Sequence, residues 1–103
     1  MKETSRPVST IRMDSSINER KLNFSTEIDV RGERLNDAIE KVTRYVDDAI
    51  MLNVSSVRII HGKGTGVLRD ELQKLLRTMP GIAGVRDEHI QFGGTGVTIV
   101  TFD

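Results

Sequence analysis

The sequence contains no cysteine, and its charged residues cancel to a formal net charge of zero. The absence of cysteine excludes a disulfide framework and a thiolate metal site. The zero net charge excludes a global basic field that would steer the chain onto a polyanion, so any nucleic-acid contact must come from a local cluster of cations. Only four aromatic residues are present (Phe24, Tyr45, Phe92 and Phe102). We expect the core to need most of them, which makes base stacking a poor source of affinity.

Long hydrophobic runs are also absent. No stretch of about 18 apolar residues is present, so no membrane-spanning helix and no membrane partner are expected. The amino end, Met1 to Pro7, lacks the apolar segment of a secretory signal, and the cytoplasm is therefore the expected location. A length of 103 residues with 37% hydrophobic residues indicates one globular domain at most.

The chain divides into a polar arm and a domain. Residues 1–24 are polar, rich in serine and without sustained periodicity, and we interpret them as a linker or flexible arm. The predicted domain covers residues 25–103. Its hydrophobic periodicity and turn residues predict strand 27–30, helix 35–50, strand 56–61, helix 67–79, a strand within 82–90 and strand 97–102. Asn53 suits the end of the first helix, where a left-handed backbone is tolerated.

This order of elements predicts the fold class. Two successive right-handed crossovers place both helices on one face of the sheet if the strands progress in one direction. The expected result is a two-layer α/β sandwich of the form βαβαββ, with a parallel part and a terminal hairpin. Such sheets bind ligands at the carboxyl ends of their parallel strands. Two segments fall at such ends, 29–32 and 61–66.

The segment His-Gly-Lys-Gly-Thr-Gly at 61–66 follows an apolar strand and opens a helix. Glycines allow a tight turn and close approach of a ligand, and the first amides of a helix lack partners within it, so the segment predicts an anion site. The alternative is a tight turn with unusual dihedral angles. The predicted phosphate-binding residues are Gly62, Lys63, Gly64, Thr65, Gly66 and Arg69. The glycine spacing fits neither a P-loop nor a dinucleotide fingerprint.

A second glycine loop comprises Gly93, Gly94, Thr95 and Gly96. Three glycines within four residues exceed what a turn requires, which favours close approach by a ligand. A glycine-rich hairpin turn is the alternative interpretation.

Asp29 and Arg31 point to the same side of a strand because they lie two residues apart. They are interpreted either as a structural ion pair or as a catalytic pair. In the second case Asp29 is a proton acceptor or metal ligand, and Arg31 neutralises phosphate charge. His61 is the third catalytic candidate, as a general acid or phosphate donor, with a structural role as its alternative. No cofactor is certain, and Mg²⁺ or another divalent ion is the one considered.

Three segments resemble the signature blocks of a known family: residues 28–32 (IDVRG), 59–69 (IIHGKGTGVLR) and 93–100 (GGTGVTIV). They resemble those of the Smr (small MutS-related) domain, in the correct order over about residues 25–103. The form is most similar to the Smr domain at the carboxyl end of the second-type bacterial MutS paralogue. That parent is a large ATPase implicated in suppressing recombination and in rescuing collided ribosomes, and the present chain would be a fragment of such a protein.

The resemblance implies a four-stranded sandwich similar to the carboxyl-terminal domain of bacterial translation initiation factor three. It also implies a weakly sequence-specific endonuclease that nicks DNA, or cuts RNA in some branches. The implied partners are DNA, RNA, the ribosome and the ATPase portion of the parent chain. Asp29 maps to the family's first acidic motif and Arg31 to the basic position that follows it. Residues 61–66 map to its histidine-glycine loop, and residues 93–96 map to its third block.

One departure from the family pattern bears on mechanism. Branches that cut RNA typically carry histidine at the position of Arg31, and arginine is no proton shuttle at neutral pH. The role of general base therefore shifts to Asp29 or His61. Two main hypotheses stay open, a nuclease and a non-catalytic module that docks the parent ATPase onto DNA or ribosomal RNA. A small phosphorylated metabolite in the same site is a third.

Overall fold

The computed structural model describes residues 23–103, and residues 1–22, most of the predicted arm, lie outside the described part. The predicted order of elements is confirmed. The elements are β1 (Glu27–Asp29), α1 (Leu35–Met51), β2 (Ser56–Ile60), α2 (Val67–Leu76), β3 (Ile82–Asp87) and β4 (Val97–Phe102). Two short 3-10 turns, Ile90–Phe92 and Gly94–Gly96, connect β3 to β4.

The sheet has four strands in the order β1-β2-β4-β3. β1 and β2 are parallel, whereas β4 is antiparallel to both of its neighbours. β1, β2 and β3 therefore run in one direction, and the terminal hairpin places β4 between β2 and β3. The mixed sheet and its terminal hairpin are confirmed, and the insertion of β4 into the middle of the sheet is new information.

Both helices pack on one face of this sheet, as predicted. A single core cluster joins them to alternate residues of the strands, which is the pattern of a sheet with one covered face. Its fully buried members are Val30, Ala38, Val42, Val46, Ala49, Val57, Ile59, Leu72, Leu76 and Val100. Neither helix of residues 23–103 is long and apolar enough to cross a bilayer.

The ends of the helices show where sequence and structure differ. α1 ends as expected, because Asn53 adopts a left-handed φ of 59° and its N–H donates to the Ile50 carbonyl. α2 ends at Leu76 rather than Met79, since the N–H groups of Thr78 and Met79 bond three residues back and tighten the chain into a turn.

The end of β3 differs in a similar way. The strand ends at Asp87, within the predicted range, so His89 is not a strand residue. Its ring Nδ1 instead accepts from the Gln91 N–H and caps the following turn.

Parallel pairing of β1 with β2 sets the position of the candidate site. Asp29 lies opposite Ile60, and the Val30 N–H donates to the Ile60 carbonyl at 2.8 Å. The loop that follows β1 and the loop that follows β2 therefore leave the sheet side by side. The sequence predicted this adjacency from the carboxyl ends of parallel strands.

Candidate active site

An open cleft of about 340 Å³ lies where these two loops leave the sheet. One wall is the loop after β1, and the other is the glycine loop with the first turn of α2. The lining residues are Gly32, Glu33, Leu35 and 61–68. The cleft is thus built from the segments that the sequence identified, and Glu33 and Leu35 are additions to them.

The glycine loop lines this cleft and carries backbone amides without protein partners among the described residues. Gly62, Gly64 and Gly66 all have positive φ values (79°, 37° and 86°), a conformation that disfavours residues with a side chain. Within residues 23–103, the N–H groups of Lys63, Gly64 and Thr65 donate to no protein acceptor. The Lys63 side chain is exposed on the same loop. Unpaired amides and a cation are the groups that bind a phosphate.

The second glycine loop packs against the first. The Gly96 carbonyl accepts from the N–H groups of His61 (3.1 Å) and Gly62 (2.9 Å). A Cβ at residue 96 would lie 3.3 Å from Cγ of Lys63 and 3.5 Å from the carbonyl carbon of Gly62, so the close approach leaves little room for a side chain. The sequence identified both loops but could not bring them together.

Other residues of this second loop form its turns. Gly93 and Gly94 have φ values of 128° and 53°, and Gly94 is buried. Thr95 is exposed, and together with Lys63 it lines a shallow depression that also contains Asp87 and Glu88. The two acidic side chains make this depression a poor match for phosphate.

Asp29 and Arg31 form a close ion pair at the end of β1. The guanidinium Nη2 donates to Oδ2 at 2.6 Å, Nε lies 3.0 Å and 3.1 Å from the two carboxylate oxygens, and the backbone N–H of Arg31 donates to Oδ1. Hydrogen bonds from Arg31 lower the pKa of Asp29 to about 2, and Asp29 in turn raises the pKa of Arg31. Both groups are therefore charged at neutral pH and exposed, and the Arg31 side chain lies against Gly62.

His61 lies behind the glycine loop. Its side chain is only 4% exposed, and both ring nitrogens have partners: Nδ1 lies 2.9 Å from the Gly62 carbonyl oxygen and Nε2 lies 2.7 Å from Oγ1 of Thr98. The ring supports the loop from inside and presents no free nitrogen to the cleft. This position corresponds to the structural alternative considered for His61.

Arg69 is directed away from the cleft. Its Nε and Nη2 donate to the two oxygens of Asp87 at 2.8 Å and 2.9 Å, and Nη1 donates to Asp70. Hydrogen bonds from Arg69, then from Gln73, lower the pKa of Asp87 to about 2, and Asp87 raises the pKa of Arg69. Asp87 and Asp70 thus neutralise the positive charge of Arg69, which the sequence analysis assigned to phosphate binding. Lys63 is then the cation of the glycine loop.

Comparison with known proteins shows the family of this domain. The family model described as "Smr domain" matches residues 28–103. The chain belongs to the Smr domain family. This confirms the resemblance inferred from residues 28–32, 59–69 and 93–100.

Individual relatives of this Smr domain are bacterial MutS2 proteins. The chain is 51% identical over 77 residues to "Endonuclease MutS2" of Acetivibrio thermocellus, covering 75% of this chain and 10% of that protein. It is 38% identical over 96 residues to the protein of the same name from Geobacillus kaustophilus, covering 93% and 12%. The chain thus spans about a tenth of the length of the curated relatives it matches.

Solved structures confirm the fold. The crystal structure of the Smr domain of Thermus thermophilus MutS2 superposes with a TM-score of 0.73 at 35% identity, covering 75% of this chain and 96% of that one. YdaL, a stand-alone small MutS-related protein from Escherichia coli, superposes with a TM-score of 0.70 at 18% identity, covering 75% and 63%. At 18% identity, the similarity to YdaL concerns only the fold.

Several polar residues of this Smr domain escaped the sequence analysis. Glu33 lines the cleft and pairs with Lys41 at 2.7 Å. Thr98 and Gln73 are buried behind the glycine loop, and hydrogen bonds join them to the partly exposed Asp87. Thr98 contacts His61 although the two residues are 37 positions apart, so the sequence around either residue does not predict the contact.

The divalent ion considered in the sequence analysis would be held by Asp29. In the part of the chain that the structure describes, no three histidine or acidic side chains cluster to hold a metal. Mg²⁺ is usually held by one or two carboxylates together with substrate phosphates. Asp29 fits such a role, and the divalent ion stays a prediction.

Proposed function

We propose that this Smr domain binds the backbone of a nucleic acid in the cleft and cuts one strand, as a weakly sequence-specific endonuclease acting on DNA or RNA. The observation that carries the proposal is an exposed carboxylate–guanidinium pair, Asp29–Arg31, beside a glycine loop with unpaired amides. The name of the MutS2 relatives, endonuclease, supports it.

Binding would rest on the glycine loop. The N–H groups of Lys63, Gly64 and Thr65 can donate to non-bridging phosphate oxygens, and the Lys63 ammonium group adds a positive charge. Contacts to phosphate fix the position of a nucleic acid but carry no sequence information. A site built from backbone amides and one lysine therefore accounts for weak sequence preference.

Arg31 would engage the same phosphodiester. Its guanidinium is exposed and faces Asp29 in the free protein. A phosphate competes well for a guanidinium because it offers the same pair of charged oxygens as a carboxylate. As Arg31 turns toward phosphate, Asp29 loses hydrogen bonds that lower its pKa, and the carboxylate becomes a better proton acceptor.

Cleavage would then be hydrolysis. Asp29 accepts a proton from a water molecule, the water oxygen attacks phosphorus, the bond from phosphorus to one sugar oxygen breaks, and that oxygen takes a proton from solvent. Arg31 and the loop amides stabilise the negative charge on the non-bridging oxygens. A divalent ion held by Asp29 and the substrate would add Lewis acidity and further charge neutralisation.

A second candidate is a non-catalytic module that docks the parent ATPase onto DNA or ribosomal RNA. Two observations favour it. The ring nitrogens of His61 are both engaged inside the protein, so this histidine is not placed to protonate a leaving group. Asp29 is a weak base while it is paired with Arg31. Such a module would need the cleft only for binding.

Nicking of a supercoiled plasmid separates the two candidates. The intact chain, Asp29→Asn and the control Asp47→Asn, which removes an exposed carboxylate on α1, are compared across several divalent-ion concentrations. The endonuclease proposal expects nicking by the chain and the control, and a loss of about 100-fold or more in Asp29→Asn. Equal nicking by all three proteins would remove the enzyme proposal.

Binding and RNA cleavage are measured in parallel. A labelled RNA strand incubated with the same three proteins reports cutting of the other substrate class. If neither substrate is cut but both are bound, and binding collapses when Lys63 and Arg31 are replaced together, the docking module is supported instead.

A further inference from the structure

A chain of buried polar side chains runs behind the glycine loop, between β4 and α2. His61, Thr98 and Gln73 are 4%, 0% and 4% exposed. His61 contacts Thr98, Thr98 contacts Gln73 at 3.0 Å, and Gln73 contacts Asp87 at 2.9 Å. Buried polar groups of this kind must be paired, because an unpaired one is strongly destabilising.

The partners determine where each proton lies. The Gly62 carbonyl can only accept, so His61 must donate from Nδ1. In the neutral ring Nε2 then has no hydrogen, and it accepts from the Thr98 hydroxyl. The Thr98 oxygen in turn accepts from the Gln73 amide, whose second hydrogen is donated to Asp87.

The far end of the chain is held by two arginines. Arg69 binds both oxygens of Asp87, and Arg77 donates to the Gln73 side-chain oxygen at 3.2 Å, which fixes the orientation of that amide. A ring protonated at both nitrogens would leave the Thr98 hydroxyl hydrogen with no acceptor among the residues of this network. A fully paired network of this kind selects one arrangement of protons and makes it rigid.

The hydrogen bond from His61 orients the peptide between Gly62 and Lys63. The peptide bonds are trans, so the Lys63 N–H points opposite to the Gly62 carbonyl. His61 holds that carbonyl on the inner side of the loop. The Lys63 N–H is therefore turned outward, where it has no acceptor within residues 23–103.

We propose that Thr98 and Gln73 are positioning residues for the phosphate site: they hold His61 in the Nδ1–H tautomer, and His61 turns the Lys63 amide toward the bound phosphate. This inference rests on the proposed function for the identity of the ligand. None of the three side chains touches the substrate. They act through the orientation of one peptide plane.

Replacement of Thr98 tests the proposal with a matched pair of variants. Thr98→Val keeps the shape of the side chain and removes the hydroxyl, whereas Thr98→Ser keeps the hydroxyl. Ring ¹⁵N chemical shifts report the tautomer of His61, and a His89→Gln background leaves His61 as the only histidine. Amide shifts of Lys63 are followed while inorganic phosphate, and then a short DNA duplex, is added.

We expect the intact chain and Thr98→Ser to show the Nδ1–H tautomer, and Thr98→Val to show a mixture. The valine variant should also shift the Lys63 amide and weaken duplex binding about tenfold, the effect of misplacing one donor to a charged group. Gln73→Leu, which removes both amide donors, should have the same effects on the tautomer, the Lys63 amide and duplex binding. It replaces Thr98→Val in the test if that variant does not fold.

Two results would overturn the proposal. One is an Nε2–H or doubly protonated His61 ring in the intact chain at neutral pH. The other is a Thr98→Val variant whose tautomer, Lys63 amide and duplex affinity are unchanged. If the intact chain binds neither phosphate nor duplex, the proposed function fails, and the positioning role is then judged on the ring and amide shifts alone.

Discussion

In the free protein, Arg31 occupies both carboxylate oxygens of Asp29, with its shortest contact at 2.6 Å. The two charges proposed to activate water and to neutralise phosphate are therefore bound to each other before substrate arrives. A phosphate that binds Arg31 must therefore compete with the Asp29 carboxylate.

Asp29→Asn should bind a DNA duplex more tightly than the intact chain, by about fivefold at most, because the loss of the exposed ion pair frees Arg31 for phosphate. Fluorescence anisotropy at fixed salt measures the affinity. Asp47→Asn removes a carboxylate outside the cleft and should change the affinity less. Weaker binding by Asp29→Asn would contradict the competition between carboxylate and phosphate.

Arg69→Gln should raise the pKa of Asp87 from about 2 toward its ordinary value of 3.8, because the hydrogen bonds of Arg69 are the largest cause of the lowering. ¹³C shifts of the carboxyl group during a pH titration measure it. Arg44→Gln, which breaks an exposed pair with Glu40, is the control and should leave Asp87 unchanged.

The same shift predicts a dependence of stability on pH. A carboxyl whose pKa is lower in the folded state contributes stability above its unfolded pKa, and loses it as the pH falls through the folded value. For Asp87 this window runs from about pH 4 down to about pH 2. Urea unfolding across the window should show a smaller loss of stability in Arg69→Gln than in the intact chain, and equal losses would count against the pair.

Gly93→Ala should destabilise the fold by about 2–5 kcal/mol, which combines backbone strain with crowding in the core. Residue 93 has a φ of 128°, and a Cβ there would lie 2.5 Å from Cγ2 of Val97. Gly64→Ala is the matched control, since its φ is 37° and a Cβ would meet nothing within 4 Å. Denaturant unfolding should show the larger loss at residue 93, and the reverse order would refute this account of the turn.

Lys63→Ala should weaken nucleic-acid binding on all sequences alike and reduce the salt dependence of log affinity by about one unit of slope. Lys63 is exposed on the glycine loop, and Lys74 is exposed on α2, outside the cleft. Lys74→Ala should therefore keep the salt slope of the intact chain. An equal effect of both variants would show that binding is not centred on the loop.

The elements of the fold were predictable because each is encoded locally. The apolar stripe of α1 repeats at the period of a helix, and the β-branched residues of β4 are typical of a strand. The bounds of both elements came out within a residue. The position of β4 was not encoded in this way. Val100 pairs with both Val57 and Val85, and nothing in the spacing of these residues distinguishes a central strand from an edge strand.

The candidate site shows the same contrast between contacts that are local in sequence and contacts that are distant. Asp29 and Arg31 are two residues apart, so their pairing could be foreseen from strand geometry. The environments of His61 and Arg69 depend on Thr98 and Asp87, which lie 37 and 18 residues away in sequence. The sequence does not distinguish a donor in an open loop from a donor that bonds a distant residue, because the difference lies in tertiary contacts.

The central place of β4 bears on when this domain can act during its own synthesis. β4 follows the other three strands of the sheet in sequence, yet it joins β2 to β3, and the Gly96 carbonyl just before it holds the glycine loop. A nascent chain that ends before Val97 would have no continuous sheet and no anchored loop. The anchored glycine loop, and any phosphate site built on it, would then form only after β4 has paired with both of its neighbours.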